Sequence, residues 1–143
     1  MTREQLAQAC AAAMWAQDRA SQRLGMELIE VSPGRARLRM QVVDTMVNGH
    51  AICHGGFVFA LADSAFAFAC NSYNRTTVAQ GADVVFVAPA RLGDELLAEA
   101  TERARYGRNG IYDVTVRRTD GALVAEFRGR SREVTGTLVE EAP

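Results

Sequence analysis

The chain has 143 residues, a length that suits one domain with a hydrophobic core of its own. Its residues are 48 % hydrophobic and 23 % charged, which excludes the composition of a disordered chain. A formal net charge of −1 offers no bulk attraction to phosphate backbones or anionic lipid, so neither nucleic acid nor a membrane is the expected partner.

The first residues carry no run of Leu or Val like that of a cleaved signal peptide, and the cytoplasm is the expected compartment. Thr2-x-x-Gln5 has the spacing of a capping box, and Leu6, Ala9, Cys10, Ala13 and Met14 follow at helical intervals. Together they predict an amphipathic helix ending near Gly25. From Ala36 the period becomes two: Ala36, Leu38, Met40 and Val42 alternate with Arg35, Arg37, Arg39 and Gln41, as in a half-buried strand.

Residues 56–73 are apolar nearly all round, which predicts a buried helix on which Phe57, Leu61, Ser64 and Phe68 share one side; the longest apolar stretch, around 57–70, is too short to span a bilayer and contains an Asp. Four strand-like runs follow at 78–87, 95–106, 111–118 and 122–134, with an Asp120-Gly121 hairpin signal between the last two. The order of elements predicts an α+β fold, in which a curved antiparallel sheet wraps the second helix and the N-terminal helix is added outside it. A single domain over 1–143 is expected, with its core at about 25–134.

Between Asp44 and Arg75 the only formally charged side chain is Asp63, set among aromatic and aliphatic neighbours. A carboxylate buried there needs a partner, a raised pKa or a chemical task; capping a neighbouring segment or pairing with an arginine of the sheet are the structural alternatives. Upstream, Asn48-Gly-His50-Ala-Ile-Cys53-His54-Gly55-Gly56 is a glycine-containing loop running into the same helix. Free amides at a helix N-terminus suit a polarised carbonyl oxygen, so Gly55 and Gly56 are candidate donors; a tight turn is the alternative use of such glycines.

Gly55 and Asp63 stand eight residues apart. At 1.5 Å per residue a helix separates them by roughly 12 Å, too far for one reacting carbon about 3 Å from each. Two chains with antiparallel helices bring the Gly55 end of one to Asp63 of the other, so a homodimer is the expected minimal unit.

Other chemistries are poorly served. All 16 basic side chains are arginine, which removes lysine Schiff-base chemistry. Cys10, Cys53 and Cys70 are odd in number and widely spaced, suggesting neither a disulfide framework nor a zinc site. His50 and His54 lie four apart, but the glycines around them make a loop and no neighbouring acid completes a ligand set, so no metal is expected and His50 reads as loop-ordering.

Asn48-Gly-His, Cys53-His54-Gly55-Gly56, Phe59-Ala-Leu61-Ala62-Asp63, Ala69-Cys70-Asn71-Ser72, Leu92-Gly93-Asp94, Tyr112-Asp113-Val114 and Phe127-Arg128-Gly129 resemble the hotdog-fold acyl-CoA thioesterases, and among them the PaaI-type enzymes of phenylacetate degradation. The resemblance runs over most of the chain. It implies hydrolysis of an acyl-CoA thioester with an aromatic acyl group, phenylacetyl or hydroxyphenylacetyl, and no cofactor beyond the coenzyme A of the substrate. It implies Asp63 as the catalytic carboxylate, general base or nucleophile, Gly55 as amide donor to the thioester carbonyl, and Asn48 as a polar group holding substrate or water. His54 lies in the same motif. It also implies that Gly55 and Asp63 of one site come from opposite subunits, and that dimers pair into a homotetramer.

A related group adds a Ser or Thr from the next strand, where this chain has Ala79 and Gln80, leaving Gln80 as the candidate. Arginines 35, 37, 39 and 128, 130, 132 alternate along strands; most such residues are solvated, and Arg128 is the one taken as a contact to coenzyme A. Rival readings are a medium-chain aliphatic acyl-CoA thioesterase, a hotdog hydratase or dehydratase, and a non-catalytic acyl-CoA-binding domain.

Overall fold

The computed structural model describes residues 1–141. Thr2 opens α1 (Arg3–Gln17) with both bonds of the capping box, its hydroxyl accepting from the Gln5 amide while the Gln5 side chain accepts from its own. The helix expected to continue to Gly25 instead breaks at Asp18. The Asp18 carboxylate accepts the Ser21 amide at 3.0 Å and the Ser21 hydroxyl at 2.6 Å, capping a separate short helix, α2 (Arg19–Arg23). A side chain that satisfies free helix amides competes with helix continuation, and Asp does so well. Ser21 Oγ then lies 2.8 Å from Ser64 Oγ, tying α2 to the central helix α3 (Gly55–Cys70).

Six strands make one antiparallel sheet: β1 (Glu27–Ser32), β2 (Arg35–Gln41), β3 (Thr77–Phe86), β4 (Glu95–Tyr106), β5 (Asn109–Arg118) and β6 (Leu123–Glu133), in the order β1-β2-β4-β5-β6-β3. The Asp120-Gly121 turn closes the β5–β6 hairpin as expected, with the Arg118 amide donating to the Ala122 carbonyl. This is the curved antiparallel sheet around a central helix of a hotdog fold.

The alternation decides which face meets α3. Leu38, Met40, Leu96, Ala98, Val114, Val116, Ala125 and Phe127 are all buried against it. Phe66 of α3 sits at the centre, its ring 5.7 Å from Tyr112 and 5.8 Å from Phe127, while Phe59 meets Phe127 edge-on at 5.3 Å. Such aromatic pairs add about 0.5–1.5 kcal/mol each beyond the area they bury. Gly129 marks the closest approach of β6 to α3, since a Cβ there would stand 2.8 Å from the Phe66 ring.

The opposite face carries the alternating charges. Arg128 is paired with Asp113 through two bonds of 2.7 and 3.0 Å, Arg130 with Asp83 at 2.9 Å, Arg37 with Glu30 at 3.6 Å, and Arg39 with Glu27. Both edges of the sheet are strands. The outer edge of β3 has no strand partner among the described residues, and Val85 and Phe86 on it are 63 % and 52 % exposed. An apolar open edge is a surface built to be paired or covered.

Candidate functional site

α3 begins one residue earlier than the apolar run suggests and ends sooner. Asn71 stops it by bonding back to the Ala67 carbonyl and forward to both backbone groups of Thr77, which aims the chain into β3. At the other end His54 is the N-cap. Its Nδ1 accepts the Gly56 amide at 2.9 Å, its own amide donates to the Met46 carbonyl, and its carbonyl accepts from Phe57. An Nδ1 that accepts carries no proton, so the neutral ring keeps its proton on Nε2.

That leaves the amide of Gly55. It makes no hydrogen bond among the described residues, whereas the Gly56 amide, the second expected donor, is taken by His54. Gly55 is the first residue of α3, where the helix dipole adds to the pull on a negative oxygen. The Phe86 ring packs on this glycine: a Cβ at position 55 would stand 2.9 Å from its Cζ, so the half-exposed ring would have to shift to admit one.

Asn48 orders the loop that delivers this helix end. Its Oδ1 accepts from His50 and Ile52 at 2.9 and 3.3 Å, its amide donates to the Ile52 carbonyl, and its carbonyl accepts from Ala51, which adopts φ 59°. The Asn48 side-chain NH2 has no partner among the described residues.

Asp63 lies more than two turns along α3. It is half-buried and has no hydrogen bond or ion pair among the described residues, and burial alone raises its pKa above the ordinary 3.8. Neither structural alternative, a capped segment or an arginine of the sheet, is realised. Gly56, Ala60 and Ala67 share its side of the helix and are likewise not fully buried. Cys70, one further turn beyond Ala67, has its thiol pushed up to about 12, mainly by burial, with the Asp63 charge adding to the effect.

The remaining expected residues separate. Gln80 is the extra residue of a β-bulge on the open edge of β3, where Ala79 pairs with Ser131 and Gly81 with Arg130. Bulges re-aim side chains, and this one stands on the edge nearest the unpartnered side of the molecule. Arg128 is not brought to the site: it projects from the sheet face opposite α3, and Asp113 holds one edge of its guanidinium, at Nε and Nη2. Its alternation with Phe127 and Gly129, both buried against α3, dictates that direction. Phe86, unremarked in the sequence, is the aromatic that closes over Gly55.

Among the described residues no three His, Cys, Asp or Glu side chains converge as metal ligands, and no helix is long and apolar enough to cross a membrane.

Residues 50–125 match the thioesterase superfamily. The chain is 40 % identical to the acyl-coenzyme A thioesterase PaaI of Escherichia coli over 130 residues, covering 91 % of this chain and 93 % of the relative. Its structure is similar to that of the E. coli PaaI protein from the phenylacetic acid degradation operon, with TM-score 0.93 and 38 % identity over 95 % of this chain and 99 % of the other. It is also similar to a mutant of the phenylacetic acid degradation protein PaaI of Thermus thermophilus, with TM-score 0.78 and 33 % identity over 82 % and 100 % of the two chains.

Proposed function

The chain belongs to the thioesterase superfamily as an acyl-CoA thioesterase of the PaaI type, and from that premise we propose that it hydrolyses phenylacetyl-CoA or a ring-hydroxylated relative at sites shared between two copies of itself. The aromatic acyl group is supported by the role of the relatives in phenylacetic acid degradation. The observation that carries the shared site is the division of labour along α3: one free amide at Gly55, one unpartnered carboxylate at Asp63, and eight residues of helix between them.

A second chain resolves that separation. The small residues beside Asp63 permit close approach of another helix, and the open apolar edge of β3 offers the surface on which two chains pair. The Gly55 end of the partner's helix then stands beside Asp63. The family likeness favours two such dimers in a tetramer, acting in the cytoplasm.

In the reaction the carbonyl oxygen of the thioester accepts the Gly55 amide hydrogen, which draws electron density from the carbonyl carbon. Water attacks that carbon while Asp63 takes its proton; the raised pKa makes this carboxylate a better base than an exposed one. The negative charge collects on the oxygen held at Gly55, where the donor is already in place. When the carbonyl re-forms, the carbon–sulfur bond breaks and Asp63 returns the proton to the sulfur, giving phenylacetic acid and coenzyme A. Water supplies the oxygen and Asp63 carries the proton, so the step calls for no metal or redox cofactor. The Asn48 side-chain NH2 and the Nε2–H of His54 are donors left over at the same loop, suited to hold the water or the thioester. Gln80, on the bulge at the dimerising edge, is the further candidate for substrate contact.

Release of coenzyme A thiol from phenylacetyl-CoA, octanoyl-CoA and crotonyl-CoA by the wild type and Asp63→Asn tests the proposal. Fast release from phenylacetyl-CoA that is lost in the variant is expected. Equal rates in the two proteins would remove Asp63 from the mechanism, and faster release from octanoyl-CoA would transfer the assignment to aliphatic substrates.

A further inference from the structure

Asp18, Ser21 and Ser64 form one hydrogen-bonded row that ends beside the proposed base. Ser21, 2 % exposed, donates its hydroxyl hydrogen to the Asp18 carboxylate at 2.6 Å, and its oxygen lies 2.8 Å from that of Ser64. A hydroxyl has one hydrogen to give, and that of Ser21 goes to Asp18, so Ser64 is the donor to Ser21. We infer that Ser64 is a positioning residue for Asp63: through Ser21 it fixes the height and rotation of α3, and with them where the carboxylate stands opposite the Gly55 end of the partner's helix. The inference rests on the reading of Asp63 as the base of a shared site.

Asp63 has nothing of its own to place it. It makes no hydrogen bond or ion pair among the described residues, so its carboxylate stands wherever α3 carries it. The middle of that helix is held by apolar packing against the sheet, which has no preferred direction. Directional ties sit at its ends, at His54 and Asn71, nine and eight residues from Asp63. Between them, among the described residues, Ser64 is the one side chain of α3 bonded to another helix or strand. A hydrogen bond weakens steeply when its length or angle departs from the optimum, so this one resists a sliding or turning of α3 that packing alone admits.

The N-terminal segment is shaped to present that bond. The break at Asp18 sets off α2, whose Ser21 reaches α3, and Asp18 bonds both the amide and the hydroxyl of Ser21. The oxygen that receives Ser64 is thus itself held in place. α1 presses on the same side of α3 one turn further along, where the Trp15 ring lies 6.2 Å from that of Phe68. Helices that the sequence presents only as an outer addition therefore meet the central helix at the residue next to its carboxylate.

Ser64→Ala and Ser21→Ala each remove the bond at the loss of a single oxygen and leave a good helix former. In both, kcat for phenylacetyl-CoA is expected to fall about tenfold with KM unchanged, as for a reacting group displaced by a fraction of an ångström. The double variant is expected to lose no more than either single one, because both remove the same bond. Unchanged kcat beside a lowered melting temperature, or losses that multiply in the double variant, overturns the inference and leaves the row a tie of stability alone.

Mixed dimers supply a readout that a general loss of stability does not imitate. Gly55→Pro and Asp63→Asn chains are refolded together, so that the working site takes Asp63 from the first and Gly55 from the second. Ser64→Ala added to the Gly55→Pro chain should lower the restored rate about tenfold, and added to the Asp63→Asn chain should leave it as it was. Equal loss from either chain contradicts the inference. No restored rate in the mixture without Ser64→Ala faults the shared site instead, and the kinetics of the single variants then decide the role of Ser64.

Discussion

The Nδ1 of His54 accepts the amide hydrogen of Gly56 at 2.9 Å, and this one bond decides which amide of α3 is left for a substrate. Gly55 remains free, and because it is the first helical residue its N–H can be deleted without breaking the helix. Proline is well tolerated at that position, and His54 already has the extended backbone that must precede it. Gly55→Pro, whose ring also displaces the half-exposed Phe86, is therefore expected to keep its helical circular dichroism and lose about 10²–10³ in kcat, the usual cost of removing an oxyanion donor. Retained kcat would take the amide out of the mechanism.

As the proposed base, Asp63 is expected to set the acid side of the pH profile. Burial raises its pKa above 3.8, so the base is lost by protonation at a higher pH than for an exposed Asp. The acid limb of kcat/KM is expected to have its midpoint above 3.8 and to vanish with the activity in Asp63→Asn. The stability sign is opposite to that of a salt-bridged Asp: the folded state favours the protonated form, an advantage present below 3.8 and lost as pH rises through the raised value. Asp63→Asn is thus expected to melt no lower than the wild type at pH 7. A lower melting point would reveal a favourable partner for the carboxylate.

Arg128, read in the sequence as a coenzyme A contact, is bonded in the structure to Asp113 across the sheet. Its side-chain bond to Asp113 is the main cause that lowers the Asp113 pKa below 3.8, so the stability from this pair is present above 3.8 and lost as pH falls through the lowered value. Arg128→Ala should melt slightly below the wild type at pH 7, with the gap closing in acid, while KM for phenylacetyl-CoA stays the same. A rise in KM without any change in melting would return Arg128 to the coenzyme A site.

A cysteine nucleophile is the chemical competitor for thioester cleavage, and burial disfavours it. The Cys70 thiol is pushed up to about 12, and burial also raises Cys10 and Cys53. Iodoacetamide at pH 8 is expected to label the folded chain slowly and without loss of activity, and to label it rapidly in denaturant. Rapid labelling that inactivates the enzyme would overturn this.

What was legible in the sequence was what a single residue type reveals. Asp63 stood out because a charge inside an apolar helix has few bland explanations, and the hairpin at Asp120-Gly121 because turn chemistry is local. The break at Asp18 was missed because the apolar spacing before it gives no notice of a capping side chain within the run. Strand order depends on pairing between segments far apart in sequence, which no local pattern encodes, and the Arg128–Asp113 pair depends on the register of the β5–β6 hairpin, which an irregularity between Val116 and Arg117 shifts. Phe86 was invisible for the same reason: its importance comes from Gly55, thirty-one residues away, whose missing side chain makes room for the ring. That His54 would spend the Gly56 amide was also hidden, since His is not among the usual capping residues.

The central claim is that Gly55 and Asp63 of one site come from different chains. Mixing Gly55→Pro with Asp63→Asn, each inactive alone, through denaturation and joint refolding tests it directly. In a symmetric dimer each mixed pair regains one intact site, so random mixing should restore about a quarter of the wild-type rate. No recovery, with mass spectrometry under native conditions showing that mixed dimers have formed, would place both groups of a working site on one chain and contradict the account.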